Sequence, residues 1–267
     1  MATDRDRFRQ LRGSTVAFCV VLLVTMLAHP ACTAPELQRL RVEVLREIPH
    51  DPAAFTQGLV FHQGSLYEST GQHGTSSLRR LSPETGAVEK RHDLPEHLFG
   101  EGLALVGDRL IQLTWKAGVA RVYDLASFDL LTTVRYPGEG WGLCHHQGEL
   151  IMSDGSSWIV HRDPITLREL DRHQVLLENA PVSQINELEC AEGWVYANVW
   201  HRDQILRIDP GSGEVLATID ATELRTRLGS RGSEAQDLNG IAFRPDSATF
   251  FLTGKNWPSI FEVIFVE

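Results

Sequence analysis

From Leu40 to the C-terminus, apolar residues fall in short runs with period-two alternation, cut by Gly, Pro, Asn and Asp. That is the pattern of many short β-strands. Helical spacing appears once, over Ala221 to Leu228, as a short turn inside a longer connection. The strand pattern also repeats. Gln57-Gly58-Leu59, Glu101-Gly102-Leu103, Trp141-Gly142-Leu143, Asn186-Glu187-Leu188 and Asn239-Gly240-Ile241 each open a unit, at spacings of 44, 40, 45 and 53 residues. Such spacings match a four-stranded propeller blade.

Within each unit a turn follows: Gln63-Gly64, Gly107-Asp108, Gln147-Gly148, Glu192-Gly193 and Pro245-Asp246. The next strand then begins nine residues after the unit start, at Leu66, Leu110, Leu150 and Val195; the fifth unit needs two extra residues to bring Phe250 into line. The fifth unit runs out of chain about one strand short. Leu40 to Ile48 alternates apolar and polar, so it is predicted to complete the last blade and remove an exposed edge. The expected fold is all-β, a five-bladed β-propeller closed by an N-terminal strand, with a β-sandwich as the rival.

Aligning the units puts residues in rank. A first ring holds Gln57, Glu101, Trp141, Asn186 and Asn239; a second, five residues into the next strand, holds Gly71, Trp115, Gly155, Trp200 and Lys255. A purely structural ring would repeat small or aliphatic residues. One acid, one amine, amides and three of the six tryptophans instead suggest a binding site at one mouth of a central channel. Each member also has a plain reading. Glu101 between glycines would ordinarily be a solvated turn carboxylate, and Lys255, one of three lysines, a surface residue. Tryptophans usually pack cores, while Phe55 and Phe99, each two residues before a ring position, either wall the site or staple blades together. Asn198 reads as a structural strand-end residue. Register favours the functional reading for Glu101, since partial desolvation raises a carboxyl toward useful acid/base values. The 11 histidines lack a clustered partner and read mostly as surface.

The N-terminus reads as a leader. Arg5, Arg7, Arg9 and Arg12 precede an apolar run from Val16 to Ala28 and small residues at Ala31 to Ala34. This order is that of a secretory signal over residues 1–34, too short for a comfortable membrane span. Cleavage after Ala34 leaves Pro35 first; Cys32 keeps a lipid-anchored reading open. The expected location is exported, periplasmic or secreted, with residues 35–267 as one catalytic domain and a monomer. Removing the four Arg and two Asp of the leader from 25 basic and 35 acidic residues leaves 21 and 33, a net charge of −12. That balance argues against nucleic acid and anionic membranes as partners. Cys144 and Cys190 remain, as a disulfide or as two buried thiols; they lack zinc-site spacing.

Eight motifs then carry a family resemblance. Phe55-Thr-Gln-Gly-Leu59, Phe99-Gly-Glu-Gly-Leu103, Leu113-Thr-Trp115, Gly140-Trp-Gly-Leu143, Asn186-Glu-Leu-Glu189, Asn198-Val-Trp200, Leu238-Asn-Gly-Ile-Ala242 and Thr253-Gly-Lys-Asn-Trp257 resemble the plant-type glutaminyl-peptide cyclotransferases, which also occur in bacteria. The resemblance implies a five-bladed propeller that converts the N-terminal glutamine of peptides or proteins to pyroglutamate with loss of ammonia, without catalytic metal or cofactor. Its catalytic glutamate matches Glu101, with Lys255 and Asn186 beside it. The substrate-contacting residues match Phe55, Gln57, Phe99, Trp115, Trp141 and Trp200. A non-catalytic peptide-binding propeller is the main alternative; a sugar-active hydrolase, needing two cooperating carboxylates, is a weaker one.

Overall fold

The computed structural model describes residues 36–267; the leader expected over residues 1–34 lies outside them. The first strand is β1 (Gln38–Pro49). The first repeat then gives β2 (Thr56–His62), β3 (Ser65–Thr70), β4 (Ser77–Leu81) and β5 (Val88–Asp93) as one antiparallel sheet. The second gives β6 (Gly100–Val106), β7 (Arg109–Thr114), β8 (Val119–Asp124) and β9 (Leu130–Arg135). The third gives β10 (Leu143–His146), β11 (Glu149–Met152), β12 (Trp158–Arg162) and β13 (Glu169–Gln174), followed by a small hairpin, β14 (Leu176–Leu177) and β15 (Ala180–Pro181). Next come β16 (Ile185–Ala191), β17 (Trp194–Val199), β18 (Gln204–Ile208) and β19 (Val215–Asp220), then helix α1 (Thr222–Leu228). Last are β20 (Leu238–Arg244), β21 (Thr249–Gly254) and β22 (Ser259–Val266).

The N-terminal strand completes the fifth unit, as its alternation requires. β1 runs antiparallel to β22 from Arg41↔Val266 to Pro49↔Ser259. It also does something the pattern did not indicate. Its first residues, Gln38 to Arg41, pair in parallel with Ala217 to Asp220 of β19, so the fourth and fifth units share one eight-stranded sheet.

The innermost strands touch in cyclic order, β2 on β6, β6 on β10, β10 on β16, β16 on β20, and β20 on β2. This closed ring of radial sheets is a β-propeller and rules out a sandwich. Burial grades outward accordingly: β2 and β3 are almost wholly buried, whereas β5 and β9 are largely exposed. The apolar core therefore lies between adjacent sheets. Ile48, Leu59, Leu66, Leu81, Ala242, Phe251 and Ile260 form one such layer between the first and last units. Full burial of a Leu or Phe of this kind contributes roughly 1.5–3 kcal/mol, so ring closure is itself a stabilising contact. A disulfide joins Cys144 on β10 to Cys190 on β16, with Cα atoms 5.4 Å apart. It links the innermost strands of the third and fourth units.

Candidate active site

Four of the five ring residues sit at β-bulges. Strand register slips between Thr56 and Gly58, Gly100 and Leu103, Ile185 and Leu188, and Leu238 and Ile241. The residues left over are Gln57, Glu101 with Gly102, Asn186 with Glu187, and Asn239 with Gly240. A bulge places an extra residue out of ladder and re-aims its side chain, and three of these bulged residues, Gln57, Glu101 and Asn186, come together at one mouth. Neighbouring sheets hold these bulges in place. The Ser69 hydroxyl donates to the main-chain carbonyl of Glu101, and Ser153 Oγ donates to that of Asn186 at 2.6 Å. Asn198 Oδ1 accepts from the Gly240 amide at 3.0 Å, the structural role its strand-end position suggested.

Together these residues line a cavity of about 390 Å³. Phe55, Gln57, Phe99, Glu101, Trp115, Trp141, Asn186, Trp200 and Lys255 all face it, so every expected site residue arrives in one place. Asn239 does not face the cavity. It is fully buried beneath Gln57, and its Nδ2 donates to Thr56 O at 3.0 Å and to Gln57 Oε1 at 3.1 Å.

The aromatics form a collar. Phe55 meets Phe99 edge-on at 6.0 Å, and Phe99 meets Trp115 at 5.5 Å. Trp141 and Trp200 meet edge-on at 5.5 Å. Lys255 Nζ closes one gap, 5.2 Å from the Phe55 ring centre and 5.7 Å from that of Trp200. Phe55 and Phe99 thus act both as walls and as staples between units. The second-ring glycines make room for this collar. A Cβ at Gly71 would lie 2.3 Å from the Phe99 ring, and one at Gly155 2.6 Å from Trp141.

At the floor, Glu101 and Lys255 are only 4% and 5% exposed. Burial holds the Glu101 carboxyl well above the ordinary carboxylate range, against the opposing pull of the Lys255 charge and a hydrogen bond from Gln57; the charge of Glu139 adds to the rise. Burial likewise lowers Lys255, against the charges of Glu101 and Asp237. Each group is thus moved toward neutrality by lost hydration and held back by its partner. Such a pair supplies a carboxyl whose proton is held more tightly than in water and an amine in a poorly solvated place.

Sequence reasoning passed over several residues. Gln72 and His73, on the loop after β3, line the mouth. His50 departs from the surface reading of the histidines: it is buried, with Nε2 2.9 Å from Glu68 Oε1 and Nδ1 2.8 Å from the Trp257 carbonyl. Behind the collar stand Glu139 and Asp237. Glu139 Oε2 accepts from Trp115 Nε1 at 2.7 Å and from Trp141 Nε1 at 3.1 Å; Asp237 Oδ2 accepts from Trp200 Nε1 at 2.7 Å. A signal for both existed. They precede Trp141 and Asn239 by two residues, the offset at which Phe55 and Phe99 precede Gln57 and Glu101. Among the described residues no group of three or more His, Cys, Asp or Glu side chains is arranged to hold a metal ion, and no helix is long and apolar enough to cross a membrane.

Fold and site together define a propeller with one buried carboxyl and one buried amine under an aromatic mouth. A family model described as glutamine cyclotransferase matches residues 17–265. The chain is 40% identical over 225 residues to glutaminyl-peptide cyclotransferase of Arabidopsis thaliana, covering 83% of this chain and 70% of that protein. It also superposes on the crystal structure of Myxococcus xanthus glutaminyl cyclase with a TM-score of 0.82 and 43% identity, over 87% of this chain and all of the other. The chain belongs to the glutamine cyclotransferase family.

Proposed function

We propose that this protein is a glutaminyl-peptide cyclotransferase, closing the N-terminal glutamine of a peptide or protein to pyroglutamate with release of ammonia. Family membership supports the reaction. The observation that carries the assignment of roles is the pairing of buried Glu101 with buried Lys255 in a cavity walled by aromatics.

In the reaction the α-amino nitrogen attacks the δ-carbon of its own side-chain carboxamide. A protonated amine has no lone pair to offer, and the free α-amine titrates at about 7.7–8.0. Inside an apolar collar, beside the Lys255 charge, its neutral form is favoured. As the new C–N bond forms, Glu101 takes one proton from the attacking nitrogen. It then gives that proton to the amide nitrogen as the C–N bond to it breaks, so that ammonia leaves and Glu101 returns to its starting state. One carboxyl shuttling both ways needs no second acid.

Charge collects on the former carbonyl oxygen in between. Lys255 and the Asn186 amide are the groups in the cavity suited to stabilise it. Gln57, held by Asn239, orients Glu101. The collar of Phe55, Phe99, Trp115, Trp141 and Trp200 keeps the glutamine side chain folded back on its amine. Orientation is the largest help available to a reaction whose nucleophile is already attached.

The arginine-rich leader is proposed to direct export, and the Cys144–Cys190 disulfide supports an oxidising compartment. A direct test follows ammonia release and peptide mass with a Gln-initiated peptide and the same peptide acetylated at its N-terminus. Stoichiometric ammonia and the matching mass loss from the free peptide alone are expected. Ammonia from the blocked peptide would point to an amidase instead.

A further inference from the structure

The collar has a gap on the side opposite Lys255. Phe55, Phe99 and Trp115 form one arc, Trp141 and Trp200 another, and no aromatic contact joins Trp115 to Trp141. What joins them is a single oxygen. Glu139 Oε2 receives both indole N–H groups, from β7's end on one sheet and from the entry to β10 on the next. Asp237 repeats the arrangement on the fourth sheet. Its Oδ2 receives Trp200 Nε1, while Oδ1 lies 3.0 Å from Nδ1 of His201, whose ring stacks on Trp200 at 4.0 Å. The Asp237 carbonyl also accepts the Lys255 amide at 2.9 Å, so one residue fixes both an indole and the lysine backbone.

Neither carboxylate lines the cavity. A tryptophan at a mouth has two soft side-chain torsions and an indole face that must stay put to shape a small substrate. Tying its one polar atom to a charged acceptor from behind selects one of its two flipped orientations, and charge-assisted hydrogen bonds are the strong ones. It also consumes the N–H groups, so that the pocket is offered ring faces and edges and no donor from these three indoles.

Building on the cyclotransferase reading, we propose that Glu139 and Asp237 are positioning residues that lock the three collar tryptophans from outside the pocket and thereby set the folded geometry of the bound glutamine. Glu139 acts on two sheets at once, so its loss frees two walls together. Its charge reaches the floor as well. Glu101 is faced by Lys255 and Glu139, and Tyr136, itself pushed up to about 12 by burial, lies within reach of the Glu101 charge; Lys116 Nζ sits 3.6 Å from Glu139 on the solvent side.

Three variants of the full exported chain test this: Glu139→Ala, Glu139→Gln and Asp237→Ala. Near-UV circular dichroism reads indole order without reference to activity, and kcat and KM are measured with a Gln-initiated peptide. Glu139→Ala should lose near-UV intensity and fall about 10²-fold in kcat, the scale of a misplaced reacting group, with a smaller change in KM. Glu139→Gln keeps an acceptor oxygen without the charge. It should regain the near-UV signal and most of the rate, while the acid limb of its pH–rate profile moves to lower pH. Asp237→Ala should behave as Glu139→Ala does. Wild-type near-UV spectra and kcat in both alanine variants would overturn the proposal. Should the alanine variants not fold, Glu139→Gln decides alone: an unmoved acid limb or a lost near-UV signal contradicts it. A wild-type protein inert toward every Gln-initiated peptide would defeat the cyclotransferase reading, and the spectra would still decide whether the carboxylates order the indoles.

Discussion

Asn239 donates from Nδ2 to Oε1 of Gln57 at 3.1 Å, and this contact decides which end of the Gln57 amide faces Glu101. With its oxygen engaged below, Gln57 presents its NH₂ to the carboxyl, as a hydrogen bond that steadies the ionised form. Asn239→Ala removes that fix. One neutral hydrogen bond is worth about 0.5–1.5 kcal/mol, so kcat/KM should fall by up to about tenfold. Because both residues serve one contact, Asn239→Ala added to Gln57→Ala should cost little more than Gln57→Ala alone. Fully additive losses in that cycle would show that Asn239 acts elsewhere.

The Glu101–Lys255 pair predicts the pH profile. In the proposed mechanism Glu101 must be ionised to accept a proton; burial raises it, so the acid limb is expected above the ordinary carboxylate range. In the same mechanism Lys255 must be charged; burial lowers it, so the alkaline limb is expected below the ordinary lysine range. The two limbs belong to the pair jointly. Lys255→Met removes the positive neighbour of Glu101 and, in the proposed mechanism, the partner of the oxyanion. Its kcat should fall about 10²–10³-fold, and its acid limb should move to higher pH than wild type with the same peptide. An acid limb that stays or moves down contradicts the pairing.

The disulfide closes a loop of 46 residues between the third and fourth units. In the chain-entropy account such a crosslink contributes about 4 kcal/mol by restricting the unfolded chain. A Cys144→Ser/Cys190→Ser double variant should melt several degrees lower than wild type. Turnover at 25 °C should persist, since neither cysteine faces the cavity. Thermal melts with and without reductant check this. Equal melting temperatures would contradict a stabilising restriction of the unfolded chain by this bond.

Glu189 ties the propeller to pH in a different way. Its Oε1 accepts the Phe243 amide at 2.9 Å across two units, and lost hydration raises its carboxyl to about 8. Nearby Glu187 is fully buried, accepts from Leu59 and Ile241 amides, and is raised as well. A carboxyl held above its unfolded value contributes stability that is whole below the unfolded pKa and is lost as pH rises through the folded one. Melting temperature should therefore decline between about pH 5 and pH 8. Glu189→Gln retains an acceptor and cannot ionise, so its curve should be flatter and should lie above wild type at pH 8. Parallel curves would contradict the assignment.

Much of this was legible because a propeller repeats. Five equivalent motifs place Gln57, Glu101, Trp141 and Asn186 on one ring and Trp115, Trp200 and Lys255 on another by spacing alone. Alternation in Leu40 to Ile48 announced the closing strand. What escaped detection depended on contacts between units. The parallel pairing of β1 with β19 leaves no periodicity of its own. Asn239 shares the ring position yet points under Gln57, a distinction that only packing makes. Glu139 and Asp237 bind indoles as far as 37 residues away in sequence, contacts that local pattern does not mark. His50 and Glu68 form a buried pair that no spacing rule indicates.

In the proposed reaction Glu101 moves the proton from the attacking amine to the departing ammonia. Glu101→Gln is close to isosteric and keeps the cavity lining, so steady-state kinetics on a Gln-initiated peptide isolates that step. The variant's kcat should fall about 10²–10⁴-fold, the range of general acid–base catalysis, with KM changed far less. A variant that still turns over at the wild-type rate would contradict it.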